Sequence, residues 1–344
     1  MSQISVNDIS SLDGKSGPVI SGITTVSSTG YMMVPAGPTE YRGGRGRGVF
    51  AGGQTPAIAI VNTIEYVTIA TLGNAKDFGD LSGTRRGPEG CSSSTRGIIA
   101  GNLAGNQIDY ITIPSTGNGF DFGDLTVERF TPGGASNNTR GIFAGGYHPT
   151  GNIFRKSIDY ITIASLGNAS NFGDMLENNM ASGAVSNTTR ALFGGGCKSE
   201  NSTGVFNTIQ YVTISTTGNT QDFGDLTVAR DNSSASSNSI RAIFGGGDTE
   251  TPASGNATNV IDYITMASLG DAIDFGDLTS ARERLRGCSS STRVIFGGGF
   301  EDPARVNTIE KIEIATTANA TDFGDLTTAT RELASCSDAH GGLG

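Results

Sequence analysis

The residues that could do chemistry come in sets. Asp-Phe-Gly occurs five times, around Phe78, Phe122, Phe223, Phe275 and Phe323, with Asn171-Phe172-Gly173 as a variant sixth copy. In a kinase that tripeptide holds a metal ion against nucleotide phosphates. It does so only beside a Gly-rich phosphate loop, a strand Lys and a catalytic loop, and none accompanies it here. Six Arg (Arg47, Arg96, Arg140, Arg190, Arg241, Arg293) and six Asp (Asp80, Asp124, Asp174, Asp225, Asp277, Asp325) repeat in step. A set present once per repeat reads as structural, each Arg bonding a carboxylate or carbonyls between neighbouring repeats. If such a pair is buried, losing one partner costs about 3–5 kcal/mol. Asp109, Asp159 and Asp262 have the residue type of a glycosidase carboxylate pair, but they recur at one aligned position, which points to packing.

Histidine supply is small: His148 and His340 are the two in the chain. A hydrolytic triad or a His-based zinc site is therefore not expected. Of the four Cys, Cys91, Cys288 and Cys336 share one aligned position, Cys197 follows a Gly triplet, and no Cys-x-x-Cys occurs. Small buried thiols are expected rather than disulfides or metal ligands. No cofactor and no metal are expected. Asn-x-Ser/Thr triplets such as Asn201-Ser202-Thr203 read as compositional.

A repeat must position these residues. Arg293-Val294-Ile295-Phe296-Gly297-Gly298-Gly299 has relatives starting at Arg47, Arg96, Arg140, Arg190 and Arg241. Each is followed by a run such as Tyr160-Ile161-Thr162-Ile163 and then by the Asp-Phe-Gly segment, at a period of about 50 residues, which signals a repeat architecture. Four segments can be lettered by chain order: B, the Arg-apolar-Gly-Gly stretch; C, the alternating run; D, the segment with the Phe; and A, a small-residue run before the next Arg. From Tyr66, Tyr110, Tyr160, Tyr211, Tyr263 and Lys311 to the D-segment Phe is 12 residues in every copy. From that Phe to the next Arg is always 18 residues, whereas from the Arg to the C position is 19, 14, 20, 21, 22 and 18. Constant spacing predicts packed strands and tight turns; the variable interval predicts one surface loop per repeat, always on the same face.

Segment C has the period of a strand. Segment B ends in Gly pairs, where strand yields to turn and another backbone can come close. Segment A carries little bulk and has Ser at one aligned position in all six copies: Ser92, Ser136, Ser186, Ser237, Ser289 and Ser337. Small side chains suit strands crowded around an axis. The first B segment has no A before it and the last A segment has no B after it. Placing Leu333–Asp338 beside Arg47–Gly53 joins the ends and removes exposed edges. The reading is an all-β, six-bladed β-propeller over residues 47–344, preceded by an extended N-terminal arm and connector over residues 1–46. A seven-bladed form, with Ile20–Val34 supplying strands, is the alternative.

The bulk properties agree. The chain has 344 residues, 51 Gly, no Trp and 36% hydrophobic residues, which suits many thin sheet contacts better than one large core. A formal charge of −10 argues against a duplex nucleic-acid partner or an anionic membrane surface. No apolar run has membrane length, so no membrane insertion is expected, and no secretory start is present. Arg42–Arg47 is Gly/Arg-rich without interleaved aromatics and reads as a connector rather than an RNA-binding segment.

The order small-residue strand, apolar strand ending Gly-Gly, strand with Tyr, strand with an aromatic resembles the kelch repeat. Phe stands where kelch usually has Trp, in Asp77-Phe78-Gly79-Asp80 and its equivalents. The wording is similar to kelch-like virion proteins of tailed bacteriophages, cyanophages especially. So are Gly17–Val26, Gly30–Pro35 and the end, Cys336–Gly344. The resemblance implies a non-enzymatic virion structural protein of the tail fibre, tail tip or adhesin type, assembled in the host cytoplasm and homo-oligomeric in the particle. Residues 1–46 would dock onto other virion proteins. A capsid decoration or head-fibre protein, and an enzyme acting on envelope polysaccharide, are the alternatives.

The expected recognition surface is the set of B–C loops: Gln54–Thr63, Asn102–Gln107, Tyr147–Ser157, Cys197–Thr208, Asp248–Val260 and Phe300–Thr308. Their bulky or charged residues Tyr147, His148, Phe154, Arg155, Lys156, Phe206 and Phe300 are the candidates for contact with a host-surface glycan or protein.

Overall fold

The computed structural model describes residues 46–198, 204–250 and 256–343. They form six four-stranded antiparallel sheets arranged as the blades of a β-propeller. In A-B-C-D order, blade 1 is Ala334–Ser337, Arg47–Ala51, Thr63–Thr68 and Lys76–Asp80. Blade 2 is Glu89–Ser92, Arg96–Asn102, Gly105–Thr112 and Phe120–Asp124. Blade 3 is Gly133–Ser136, Arg140–Ala144, Ser157–Thr162 and Ser170–Asp174. Blade 4 is Gly183–Ser186, Arg190–Gly194, Thr208–Thr213 and Gln221–Asp225. Blade 5 is Ser234–Ser237, Arg241–Gly245, Val260–Thr265 and Ile273–Asp277. Blade 6 is Arg286–Ser289, Arg293–Gly297, Thr308–Glu313 and Thr321–Asp325. Two B–C loops carry small hairpins, Tyr147–His148 with Ile153–Phe154 and Phe300–Glu301 with Ala304–Arg305.

The ring closes within blade 1. Gly48 pairs with Ser337, Val49 with Cys336, Phe50 with Ser335 and Ala51 with Ala334. The backbone N–H of Arg47 also donates to Asp338 Oδ1 at 2.8 Å. The last described strand thus covers the inner edge that the first would expose. Ile20–Val34, from which a seventh blade would be drawn, lie outside the described residues, as does all of the proposed arm except Gly46.

Each blade is sandwiched between two others, so the B strands are buried on both faces and the C strands on most of both. The core is correspondingly divided into wedges. Val49, Ile64 and Phe78, from the B, C and D strands of blade 1, pack with Ile99 and Ile111, from the B and C strands of blade 2, and with Ile113 in the turn beyond. Five further wedges repeat this pattern around the ring. Burying one such Phe or Ile contributes about 1.5–3 kcal/mol.

The Asp-Phe-Gly segment has a packing explanation. Phe78 and its equivalents are buried. The next Gly has positive φ, 142–156° across the five copies from Gly79 to Gly324 other than Gly276, itself at 144°. It sits at a register shift between strands C and D, seen in blade 1 between Ile64 and Glu65. A Cβ on Gly79 would lie 2.6 Å from the Gly117 carbonyl of the next blade. Only glycine permits both the conformation and the approach. The N–H of Asp80 then donates to Asn118 Oδ1 of that same turn, and Asp124, Asp174, Asp277 and Asp325 do the equivalent with Asn168, Asn219, Asn319 and Asn74.

Candidate functional site

The two sets that repeat in step separate in the structure. Each of the six Arg donates from Nη1 to a carbonyl just past the C strand of the following blade: Arg47 to Ile113, Arg96 to Ile163, Arg140 to Ile214, Arg190 to Met266, Arg241 to Ile314 and Arg293 to Ile69, at 2.7–2.8 Å. Five of them also cover the Tyr of their own blade, as Arg96 does Tyr110 at 4.6 Å. Blade 6 has Lys311 in place of Tyr, and there Arg293 pairs with Glu313 at 2.7 Å. The six Asp are not their partners. Those residues act through backbone N–H groups, and their side chains lie at the outer surface, where Asp174 pairs with Lys156 at 3.3 Å.

The buried ion pairs are elsewhere. Seven residues after the D-strand Phe stand Arg85, Arg129, Arg230 and Arg282, each almost wholly buried. They pair across blade seams with Asp109 at 2.7 Å, Asp159 at 2.8 Å, Asp262 at 2.8 Å and Glu310 at 3.0 Å. Burial pulls each guanidinium's pKa below its ordinary value, and the facing carboxylate opposes that shift. Asp109, Asp159 and Asp262 therefore each face a buried guanidinium in a separate seam and do not face one another. At the seam between blades 3 and 4 both members are neutral: Asn179 donates to the Gly195 carbonyl, and Gln210 accepts from Leu176 N and Thr220 Oγ1.

All four Cys are buried and none forms a disulfide. Burial pushes Cys288 up to about 12 and Cys91 and Cys336 above the ordinary thiol range. Among the described residues no cluster of His, Cys, Asp or Glu has metal-binding geometry.

Two rings close the central channel. At one end, Gly87, Thr131, Ala181, Asn232, Arg284 and Glu332 all have positive φ, and the N–H of each donates to the carbonyl of the one before it, around the circle. Five non-Gly residues hold this unfavourable conformation because six hydrogen bonds fix it. At the other end the six aligned Ser hydroxyls form a second closed circle. The C-terminal turn Gly341–Leu343 lies against that circle. His340 lines the axial cavity, where its Nε2 bonds the Ser92 carbonyl at 3.0 Å and its Nδ1 accepts the Gly342 N–H at 3.1 Å. Those partners require the neutral Nε2–H form, and burial lowers the His340 pKa to about 4.

The B–C loops share one face with the D-to-A connections, because strands alternate direction within each blade. There Tyr147 is 5% exposed, packed with Phe130, Met180 and Cys197 and partly covered by Phe154. Tyr147 is thus a packing residue rather than the contact side chain expected of it, because the Tyr147–His148 hairpin folds inward onto the connection at Phe130. His148 is held by Glu128 and by the Thr150 carbonyl, and Arg155 donates to the Glu128 carbonyl at 3.1 Å. Lys156 is exposed; Phe206 and Phe300 are half-buried, lying under Lys198 at 5.6 Å and Arg331 at 5.1 Å.

The other half of this face is charged. Arg86 and Arg284 both pair with Glu332, and Arg305 and Arg331 both donate to Gln54 Oε1. Burial raises Asp231 to about 6 and Glu283 to about 7, with neighbouring Asp248 adding to both and Arg284 opposing. For Glu332 burial is outweighed by the Arg86 hydrogen bond and the Arg284 charge, which hold it below the usual carboxylate range. The variable loops already contain Gln54, Asp248 and Arg305, but sequence reasoning missed Arg86, Asp231, Glu283, Arg284, Arg331 and Glu332 because they occupy the interval of constant length. The signal was present: the eighth position after the D-strand Phe is Arg86, Phe130, Met180, Asp231, Glu283 and Arg331, a different chemistry at nearly every blade. The candidate site is accordingly this composite face, with an apolar half over blades 2–4 and a charged half over blades 5, 6 and 1. No protein-family model and no curated protein matches the chain.

Proposed function

We propose that this chain is a non-enzymatic structural protein of a tailed-bacteriophage virion, of the tail-fibre, tail-tip or adhesin type, and that its B–C loop face contacts the host surface or a neighbouring subunit. The observation that carries the reading is the division of labour within the fold. The strands and the axial Ser circle repeat almost unchanged and four of the six seams keep an Arg–carboxylate pair, while loop length and chemistry vary blade by blade on the face that carries the B–C loops. A repeated scaffold presenting one individual surface is the design of a binding module. The virion assignment rests on the resemblance of the repeat wording and of both chain ends to phage kelch-like proteins. Asp109, Asp159 and Asp262 are each committed to an Arg partner in a separate seam, which weighs against their serving as a sugar-cleaving pair.

The test combines three variants with labelled particles. Lys156→Glu, Phe206→Ala and Phe300→Ala change the face without touching a blade seam. Each should keep the wild-type melting temperature and weaken adsorption of purified protein to host envelopes or to its particle. Antibody against the propeller should label the tail; labelling of the head would replace the tail assignment with a capsid decoration role. Release of reducing ends from host polysaccharide would overturn the non-enzymatic reading.

A further inference from the structure

One blade seam lacks its cation. Between blades 6 and 1 the residue aligned with the buried Arg is Thr330, yet the acidic partner remains, as Glu65. Its carboxylate is posed as its counterparts are, accepting the N–H and the hydroxyl of Thr327 just as Glu310 accepts those of Thr279 and Asp159 those of Thr126. Glu65 is 8% exposed, and among the described residues no ion pair completes it. Where the guanidinium would lie there is a cavity of about 50 Å³, with Thr63, Glu65 and Thr330 among its polar lining and Val61, Leu326 and Leu333 among its apolar walls. Thr328 is exposed at its margin.

The acceptors around this cavity are those of an occupied seam. Between blades 5 and 6, Arg282 Nη1 donates to the carbonyls of Gly298 and Thr308 at 3.2 and 3.1 Å while Nη2 meets Glu310. Arg129 does the same with Gly145, Ser157 and Asp159. Gly52, Thr63 and Glu65 are the aligned residues in blade 1. Two carbonyls and a carboxylate set for a planar fork of N–H donors match a guanidinium better than a spherical ion, which needs more oxygens around it.

We propose that the blade 6–blade 1 seam is a receptor for a guanidinium group supplied from outside the chain, as a small cation or as an arginine side chain of another polypeptide. The test is thermal unfolding of the full-length protein in millimolar guanidinium chloride, far below denaturing levels, against NaCl and KCl at equal ionic strength. The melting temperature should rise by about 1–2 °C in guanidinium alone. Thr330→Arg, which supplies the group internally, should melt higher than wild type and lose the response. Glu65→Gln should fold, since Gln210 serves at the aligned position of blade 4, and should also lose the response. A parallel series with Nα-acetyl-arginine amide distinguishes the sources: a response shows that an arginine side chain can enter, and a response to guanidinium alone restricts the occupant to the free cation. Equal shifts in KCl or NaCl, no shift in any salt, or an undiminished response in Glu65→Gln would each overturn the proposal.

Discussion

Ser92 Oγ donates to the carbonyl of Ser337 at 2.7 Å, across 245 positions of sequence. The same bond links every neighbouring pair of inner strands, Ser337 Oγ reaching back to Ser289 at 2.6 Å. The circle therefore has no end, and the C-terminal strand is one of its six equal members. Each hydroxyl is buried, so each replaces a bond to water that folding removed.

Ser337→Ala should accordingly destabilise the propeller by about 1–3 kcal/mol, by leaving the buried Ser289 carbonyl short of its donor. Removing residues 333–344 should do far more. It strips the inner strand from Arg47–Ala51 and opens the circle, leaving the edge of that strand unpaired. Urea unfolding should show a shifted midpoint for the first variant and loss of a single cooperative transition for the second. A truncated protein that unfolds like wild type would contradict closure by this strand.

The seam pairs give a sharper prediction, because the chain contains its own control. Asp159→Ala should cost about 3–5 kcal/mol, since it leaves the wholly buried Arg129 without its anion. Replacing both residues, Arg129→Asn with Asp159→Gln, copies the neutral seam of Asn179 and Gln210. The double variant should lose much less than Arg129→Asn and Asp159→Gln lose singly when added together, a coupling readable in a double-mutant cycle. Strict additivity of the two single changes would show that the pair is not a unit.

Which parts of this were legible in the sequence follows from what spacing encodes. The fixed intervals of 12 and 18 residues revealed strands, blade count and the pairing of Leu333–Asp338 with Arg47–Gly53, because a strand in a ring has no freedom of length. They did not reveal partners. Arg47 and Asp80 recur with the same period but lie on different sides of a blade, whereas Arg85 and Asp109, which do meet, belong to successive repeats, and the Arg is replaced in two of the six copies. Periodicity within a repeat cannot say which residue touches the next repeat. Nor could loop composition show that Tyr147 turns inward, since that depends on Phe130, a residue of the preceding connection.

Acid and alkali should act on opposite ends of the channel. His340 is held near 4, below its ordinary 6.5, by burial. In that interval the unfolded chain binds the extra proton, so His340 weakens the fold as pH drops from 6.5 toward 4. Glu283 and Asp231 are raised to about 7 and 6, so the folded state holds their protons longer. Their effect is complete below the ordinary carboxylate range and is lost as pH rises through 6 and 7. His340→Gln should flatten the acid limb of a stability–pH curve and Glu283→Gln the limb approaching neutrality. Unchanged limbs in both variants would place the titrating groups elsewhere.

The N-terminal region can be separated from the propeller by deletion. Each of the six sheets has its four strands drawn from Arg47–Ser337, and the inner edge of the first B strand is taken by the last A strand. Residues 1–40 are therefore not needed to complete any blade. A chain lacking them should melt within about 1–2 °C of full length, a shift worth less than 1 kcal/mol in a domain of this size. If those residues anchor the protein to its particle, the same deletion should abolish incorporation while the isolated propeller still binds through its loop face. An unfolded product would mean that the N-terminal region contributes structure, as the seven-bladed alternative requires. A folded product that still enters the particle would move the anchor onto the propeller itself, leaving the loop face or the outer strands to make that contact.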